Sequence, residues 1–324
     1  MMKLRTMIAA CAQNFTPISL KHLIVVAFAA AFSALSIQAQ SHSWRFAVHG
    51  RIAELRTSYA PVVYYIPEHP QRVLVLASGY PWPDGTASDN ELDEYVRTVV
   101  GRWVAFANQN SVLLIAPEFG NNDFARFRGL CGSIVSPDVF VNELIDGPAS
   151  MTVSKLHGHF SLVGHSAGAQ FSGRYLLAYP DRLDAVILSA PSTYAFPNPN
   201  VSWPFGEAPG DPCRTGGTHW NRDTSAHCIC AVAPPSSRWH MVAAAVRTYV
   251  LVGTRDREQR PWAPGQVGST RLQRAHAWVN AMTVLANSVG KPSAVQFVSV
   301  PNVAHEEAKI VDPATRLLQR AWEK

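Results

Sequence analysis

The sequence predicts an α/β fold: a mainly parallel, doubly wound sheet carrying a cap-like insertion. Three observations predict it. Short apolar runs such as Val73-Leu74-Val75-Leu76-Ala77 and Val112 to Ala116 alternate with segments of helical spacing, the pattern of strands buried on both faces. A Gly-x-Ser-x-Gly stretch, Gly164 to Gly168, joins one such run to one such segment. The chain of 324 residues, 47% hydrophobic and 16% charged, has ordinary globular composition and the length for one large α/β domain.

The chain opens with Lys3, Arg5 and Lys21, then the apolar run Leu23 to Phe32, then Ser36-Ile37-Gln38-Ala39. A basic start, an apolar stretch and small residues at a cleavage point predict a secretory signal peptide over 1–39. The alternative is an uncleaved anchor. The run from Leu23 to Ile37 is short for a full span and no basic stop-transfer flank follows, which favours cleavage, no membrane span in the mature chain, and a secreted or periplasmic location. Cleavage removes three positive charges and no acid, so the net charge falls from +5 to +2. No basic run suits nucleic acid. Cys11 leaves too, and Cys131, Cys213, Cys228 and Cys230 remain. An even count in an exported chain predicts disulfides, and three connectivities are open. The expected one joins Cys213 to one of Cys228 and Cys230, and Cys131 to the other. Zinc is the competing use of these cysteines, with His219 and His227 nearby, but the spacing matches no standard zinc pattern.

Each element follows in order. Trp44 to Gly50 and Pro61 to Ile66 read as strands. Arg72 to Ala77 is a third, followed by the irregular loop Ser78-Gly79-Tyr80-Pro81-Trp82-Pro83. Leu92 to Asn108 has helical spacing, Val112 to Ala116 is a strand, and Val139 to Ile145 begins a helix. The run Phe160 to Val163 enters the Gly-x-Ser-x-Gly turn, and Ala167 to Ala178 leaves it as a helix stopped at Tyr179-Pro180. Ala185 to Ser189 is the next strand. Residues 191–240 hold eight prolines and three cysteines with little periodicity; they predict an insertion or cap within one catalytic domain, 40–324. Thr248 to Val252 returns to strand, Thr270 to Ser288 is helical, Val295 to Val300 is the last strand, and Pro313 to Trp322 closes the chain as a helix. Alternation of this kind implies right-handed crossovers between parallel strands.

The turn at Ser166 carries the chemistry. A strand, a sharp turn and a helix lift the serine Oγ clear of the sheet. Gly164 and Gly168 lack Cβ atoms, so strand and helix can approach closely. A serine hydroxyl needs a base to take its proton and a third group to orient that base. Both should follow strands at the same sheet edge, where ligands bind. Asp256 follows the strand ending at Val252, and His305 follows the strand ending at Val300. Taken singly, each has a plainer reading: a turn-forming Asp and a solvated loop His. Together they stand in the chain order Ser, Asp, His. Glu258 is the reserve acid. His165 is expected to point into the fold as a structural residue. An oxyanion needs fixed donors: the N–H of Ala167 and, from the loop after the early strand, the N–H of Tyr80. The plainer reading of Tyr80 is packing beside Trp82.

With these residues in hand, the chain resembles the α/β-hydrolase superfamily over roughly residues 60–320, and more narrowly its secreted serine esterases and polyester depolymerases. The resemblance implies Ser166 as nucleophile, Asp256 as orienting acid, His305 as base, Tyr80 and Ala167 as oxyanion donors, and no metal or cofactor. Many members carry His-Gly where this chain has Ser78-Gly79, a departure that bears on the oxyanion geometry. The implied activity is hydrolysis of a small or polymeric carboxylic ester through an acyl-enzyme. A peptidase or amidase of the same fold is one alternative; an acidic clamp for an amino terminus is its signature, and Asp211 and Asp223 stand in the insertion unpaired. A non-catalytic binding protein on the same scaffold is another, against which all three triad residue types argue.

Overall fold

Eight strands form one sheet in the computed structural model, which describes residues 43–82, 87–120, 124–210 and 228–323. The expected signal peptide lies outside those residues, as do Cys213, His219, Trp220, His227, Asp211 and Asp223. The strands are β1 (Ile52–Arg56), β2 (Pro61–Tyr65), β3 (Arg72–Ala77), β4 (Val112–Pro117), β6 (Phe160–His165), β7 (Leu183–Ser189), β9 (Arg247–Gly253) and β10 (Val295–Val300). Two short strands, β5 (Cys131–Gly132) and β8 (Ile229–Cys230), pair with each other apart from the main sheet. The main order is β1-β2-β4-β3-β6-β7-β9-β10. β1 and β2 run antiparallel at one edge; every pairing from β4 through β10 is parallel.

This order has a switch point. From β3 the chain passes to β4 on one side and then to β6 on the other. The crossovers therefore diverge between the carboxyl ends of β3 and β6, the crevice where ligands of open α/β sheets bind. The loop that begins at Ser78 and the turn at Ser166 border that crevice.

Helices cover both faces. On one lie α1 (Asp89–Asn110) and α6 (Val311–Trp322), burying Val96, Val100, Trp103, Leu317 and Leu318. On the other lie α2 (Pro137–Leu144), α3 (Ala167–Ala178), α4 (Ser236–Ala244) and α5 (Arg271–Ser288), burying Phe140, Phe171, Tyr175, Trp239 and Trp278. Each such side chain stabilises the fold by about 1.5–3 kcal/mol on burial. α1 and α5 start with reciprocal capping pairs, Ser88 with Glu91 and Thr270 with Gln273, which satisfy backbone donors that no helical carbonyl reaches.

Two expectations need correction. The first strand is Ile52–Arg56, not Trp44 to Gly50, which touches the sheet only by a bridge at His49. Trp44 and Phe46 are buried as the sequence suggests, but as loop residues, Trp44 edge-on to Phe140 of α2 and Phe46 against Tyr64 of β2. α4 begins inside the stretch expected to be irregular and runs beyond it, and it packs against α5 as an ordinary crossover helix. Its spacing was hidden by the prolines that precede it. Within the same stretch Trp203, Phe205 and Phe196 are buried as packing residues.

Cys131 and Cys230 are joined by a disulfide across β5 and β8, over a sequence separation of 99. This matches one half of the expected pairing. Cys228 is also disulfide-bonded; the other half of the expectation rests on Cys213. The sulfurs of Cys131, Cys228 and Cys230 lie within 4.8 Å of one another, but the bonds between cysteines occupy the atoms a zinc ion would need. Among the described residues no helix is long and apolar enough to cross a membrane.

Candidate active site

The turn after β6 is strained. Ser166 has φ 52° and ψ −108°, a conformation that L-residues rarely adopt and that persists only where surroundings impose it. They do so here from both sides. Ser166 N–H donates to the Ser189 carbonyl of β7 at 2.8 Å. A Cβ on Gly168 would stand 1.9 Å from the Ala77 carbonyl oxygen, and one on Gly164 would stand 2.4 Å from the Gly168 oxygen. Only glycine lets the first turn of α3 press against the end of β3 and the strand it leaves. The same contact brings the Ser78–Tyr80 loop to the helix start, where the first N–H groups have no helical acceptor.

His305 reaches Ser166 from the far side. The loop after β10 is tied to the loop after β9: Arg255 N–H donates to the Val303 carbonyl at 2.9 Å, and Asn302 N–H to Thr254 Oγ1 at 2.9 Å. Gly253 permits this, since a Cβ there would stand 2.2 Å from Val303 oxygen. The imidazole then spans the gap, with Nε2 2.9 Å from Ser166 Oγ and Nδ1 2.9 Å from Asp256 Oδ2. An ionised carboxylate only accepts, so Nδ1 carries the proton and donates, which leaves Nε2 to accept from the serine hydroxyl. The structure thus brings together Ser166, His305 and Asp256. Glu258 does not touch His305; its carboxylate takes Arg271 and Arg260, each at 3.0 Å.

Arg271 was not foreseen. It is buried at the start of α5, and its Nη1 donates to Asp256 Oδ1 at 2.9 Å while reaching Glu258. Both oxygens of Asp256 are thereby held, one by His305 and one by Arg271. Burial alone pushes the Asp256 carboxyl up; the His305 hydrogen bond and the Arg271 charge outweigh it and hold the group below the usual range. In sequence Arg271, the residue directly after a capping Thr270, reads as one more helical arginine.

His165 is buried, as expected, with Nδ1 2.9 Å from Ser189 Oγ. Its ring also lies 4.7 Å from that of His305, so it forms the wall behind the imidazole. Burial first, then the neighbouring His305 charge, lower its pKa to about 3, and it stands neutral at ordinary pH. Tyr80 packs edge-on to Trp82 with ring centroids 5.1 Å apart, and the guanidinium of Arg128 lies over its ring at 5.9 Å.

No protein-family model matches the sequence, and no curated protein matches it. Solved structures do match. A poly(aspartic acid) hydrolase from Sphingomonas sp. KT-1 superposes with a TM-score of 0.62 at 17% identity, covering 84% of this chain and 100% of that one. A poly(3-hydroxybutyrate) depolymerase from Bordetella parapertussis gives 0.59 at 18% identity, covering 83% and 89%. An S-formylglutathione hydrolase from Agrobacterium tumefaciens gives 0.52 at 14% identity, covering 87% and 98%. At such identities the likeness speaks for architecture alone, and it agrees with the strand order and the two helical layers described above: the chain has the α/β-hydrolase fold.

Proposed function

We propose that the protein is a secreted serine hydrolase that cleaves carboxylic esters through an acyl-enzyme. One observation carries this reading: His305 stands 2.9 Å from both Ser166 Oγ and Asp256 Oδ2, the geometry in which a base can take a hydroxyl proton. His305 Nε2 takes the Oγ proton as Oγ bonds to the ester carbonyl carbon. The carbonyl oxygen becomes an oxyanion facing the N–H groups of Ala167 and Tyr80. The bond to the alcohol oxygen then breaks, and the imidazolium gives that oxygen its proton. Water attacks the acylated serine by the same route and releases the acid. Asp256 stays ionised throughout and stabilises the imidazolium.

The rest of the reading has its own support. The Cys131–Cys230 disulfide suits an oxidising compartment, in keeping with a leader over 1–39 and a catalytic domain over 40–324. The substrate is a carboxylic ester, small or polymeric. Ser166→Ala is expected to lower kcat on short p-nitrophenyl esters by roughly three decades or more and to abolish fluorophosphonate labelling. Retention of most of the activity by a folded variant would reject the assignment.

A further inference from the structure

We propose that Arg128, with Arg260 on the opposite flank of Ser166, forms a subsite for a carboxylate on the substrate, so that the favoured esters carry a free carboxylate on their acyl part. This deepens the preceding reading and rests on it. Arg128 is a cation with no paired anion among the described residues. Arg128 is part-buried, and among the described residues its guanidinium accepts no ion pair and donates no hydrogen bond; its Nε is buried without a partner. A buried donor left unpaired is costly. By contrast Arg97, Arg102, Arg182 and Arg238 each meet a carboxylate.

What holds Arg128 is aromatic. Its guanidinium lies 5.9 Å from the centroids of Tyr80 and Phe127. Stacking on a ring face fixes the plane of the group and leaves its edge free to take a carboxylate through paired donors. Phe127 in turn packs on Phe171 of α3, 6.5 Å between centroids, about a turn beyond Ser166. Tyr80 belongs to the loop that borders the crevice. Arg128 is therefore held between the loop after β3 and the helix that leaves the Ser166 turn.

Arg260 comes from the β9 side. It bonds to Glu258 at 3.0 Å, and its Nε is buried without a partner. Since β6 lies between β3 and β9 in the sheet, the two arginines are tied to loops on opposite sides of the strand that leads into Ser166. They are close enough for Arg260 to weaken proton binding by Arg128, after burial, which is the larger cause. Arg174 behind them adds a third cation, its pKa lowered to about 9 by burial and then by Arg128. Glu258 is already shared between Arg260 and Arg271. Among the described residues, Arg128 and the Nε groups of Arg128 and Arg260 are left without a carboxylate, and a substrate carboxylate would relieve both the repulsion and the unpaired donors.

The test compares p-nitrophenyl hemiglutarate with p-nitrophenyl valerate, which share a five-carbon acyl chain and differ in the terminal carboxylate. The readout is the ratio of their kcat/KM values, each corrected for uncatalysed hydrolysis. The mature protein should favour the hemiglutarate about tenfold at low salt, and the ratio should fall toward one in about 0.5 M NaCl. Arg128→Gln should cut the ratio about tenfold, and Arg128→Lys should restore part of it, the melting temperature of each variant showing that it folds. A wild-type ratio at or below one, a ratio indifferent to salt, or an unchanged ratio in folded Arg128→Gln overturns the proposal. If neither ester is cleaved, the hydrolase reading fails separately. Calorimetry of glutarate on the wild-type protein then decides: salt-sensitive binding supports the subsite, and no binding overturns it.

Discussion

Replacing Arg271 with methionine tests how the acid of the triad is held. Asp256 is 2% exposed and Arg271 is 4% exposed, so water cannot take over the lost contact. Met fills much of the volume but leaves Asp256 Oδ1 without its donor. Removing one partner of a buried ion pair typically costs about 3–5 kcal/mol, which for a domain of this size lowers Tm by roughly 5–10 °C. Activity should respond as well. Asp256 keeps its hydrogen bond to His305 but gains freedom to turn, and misplacement of this kind can lower kcat up to about a hundredfold. The pH dependence follows from the sign of the shift. Arg271 helps hold the Asp256 carboxyl below its ordinary value. The stability this contributes is therefore present above the unfolded pKa and lost as pH falls through the folded one. In Arg271→Met the folded pKa rises, so both stability and activity should fail at higher pH on the acid side than in the wild type. Adding Asp256→Asn should recover part of the stability, because no buried charge is then left alone. Melting curves and pH–rate profiles on a p-nitrophenyl ester measure all of this. An unchanged Tm together with an unchanged acid limb would refute the argument that Arg271 sustains the ionised carboxylate.

Three further outcomes are expected. Asp256→Asn should cut kcat by up to about four decades by presenting the wrong imidazole tautomer, whereas Glu258→Gln should cost far less; the reverse ranking in a kinetic assay would move the acid two residues along. Replacing Cys131 and Cys230 together with alanine should lower stability by roughly 2–5 kcal/mol, as expected for a bridge spanning 99 residues, and calorimetry without reductant would show it. Glu118 is 5% exposed, and its Oε1 and Asp93 Oδ1 are both buried without a donor. Burial and the Asp93 charge push its pKa up to about 8. A raised carboxyl keeps its proton in the fold after the unfolded chain has lost it, so stability falls as pH rises between about 4.5 and 8. Glu118→Gln should then be more stable than wild type at pH 8, by an amount growing up to about 1.4 kcal/mol per pH unit across that window, and little different at pH 4.5.

The nucleophile, acid and base were legible because each follows a strand rich in apolar residues, and parallel strands deliver their carboxyl ends to one edge. The strand–turn–helix around Ser166 has glycines at both close approaches, which is a local signal. Arg271 and Arg128 gave no such signal. One sits in a helix fifteen residues beyond Asp256, the other in a short turn, and their roles come from burial that sequence periodicity does not encode. The misplaced first strand has the same origin: Trp44 and Phe46 are apolar enough for a strand, but side-chain burial against α2 and β2 does not require their backbone to join a ladder. His165 shows a residue correctly read as inward-facing whose contact with His305 depends on how two distant loops meet.

The tie between the loops after β9 and β10 has a consequence for the order in which the chain is made. Ser166 and its turn are complete by the middle of translation, but the base arrives only with the last strand and the loop beyond it. Arg255 and Asn302 must then find their partners before His305 comes within 2.9 Å of the serine. A nascent or truncated chain that ends before residue 305 carries the turn with no base. Ester cleavage followed during refolding would therefore time the docking of the loop that follows β10.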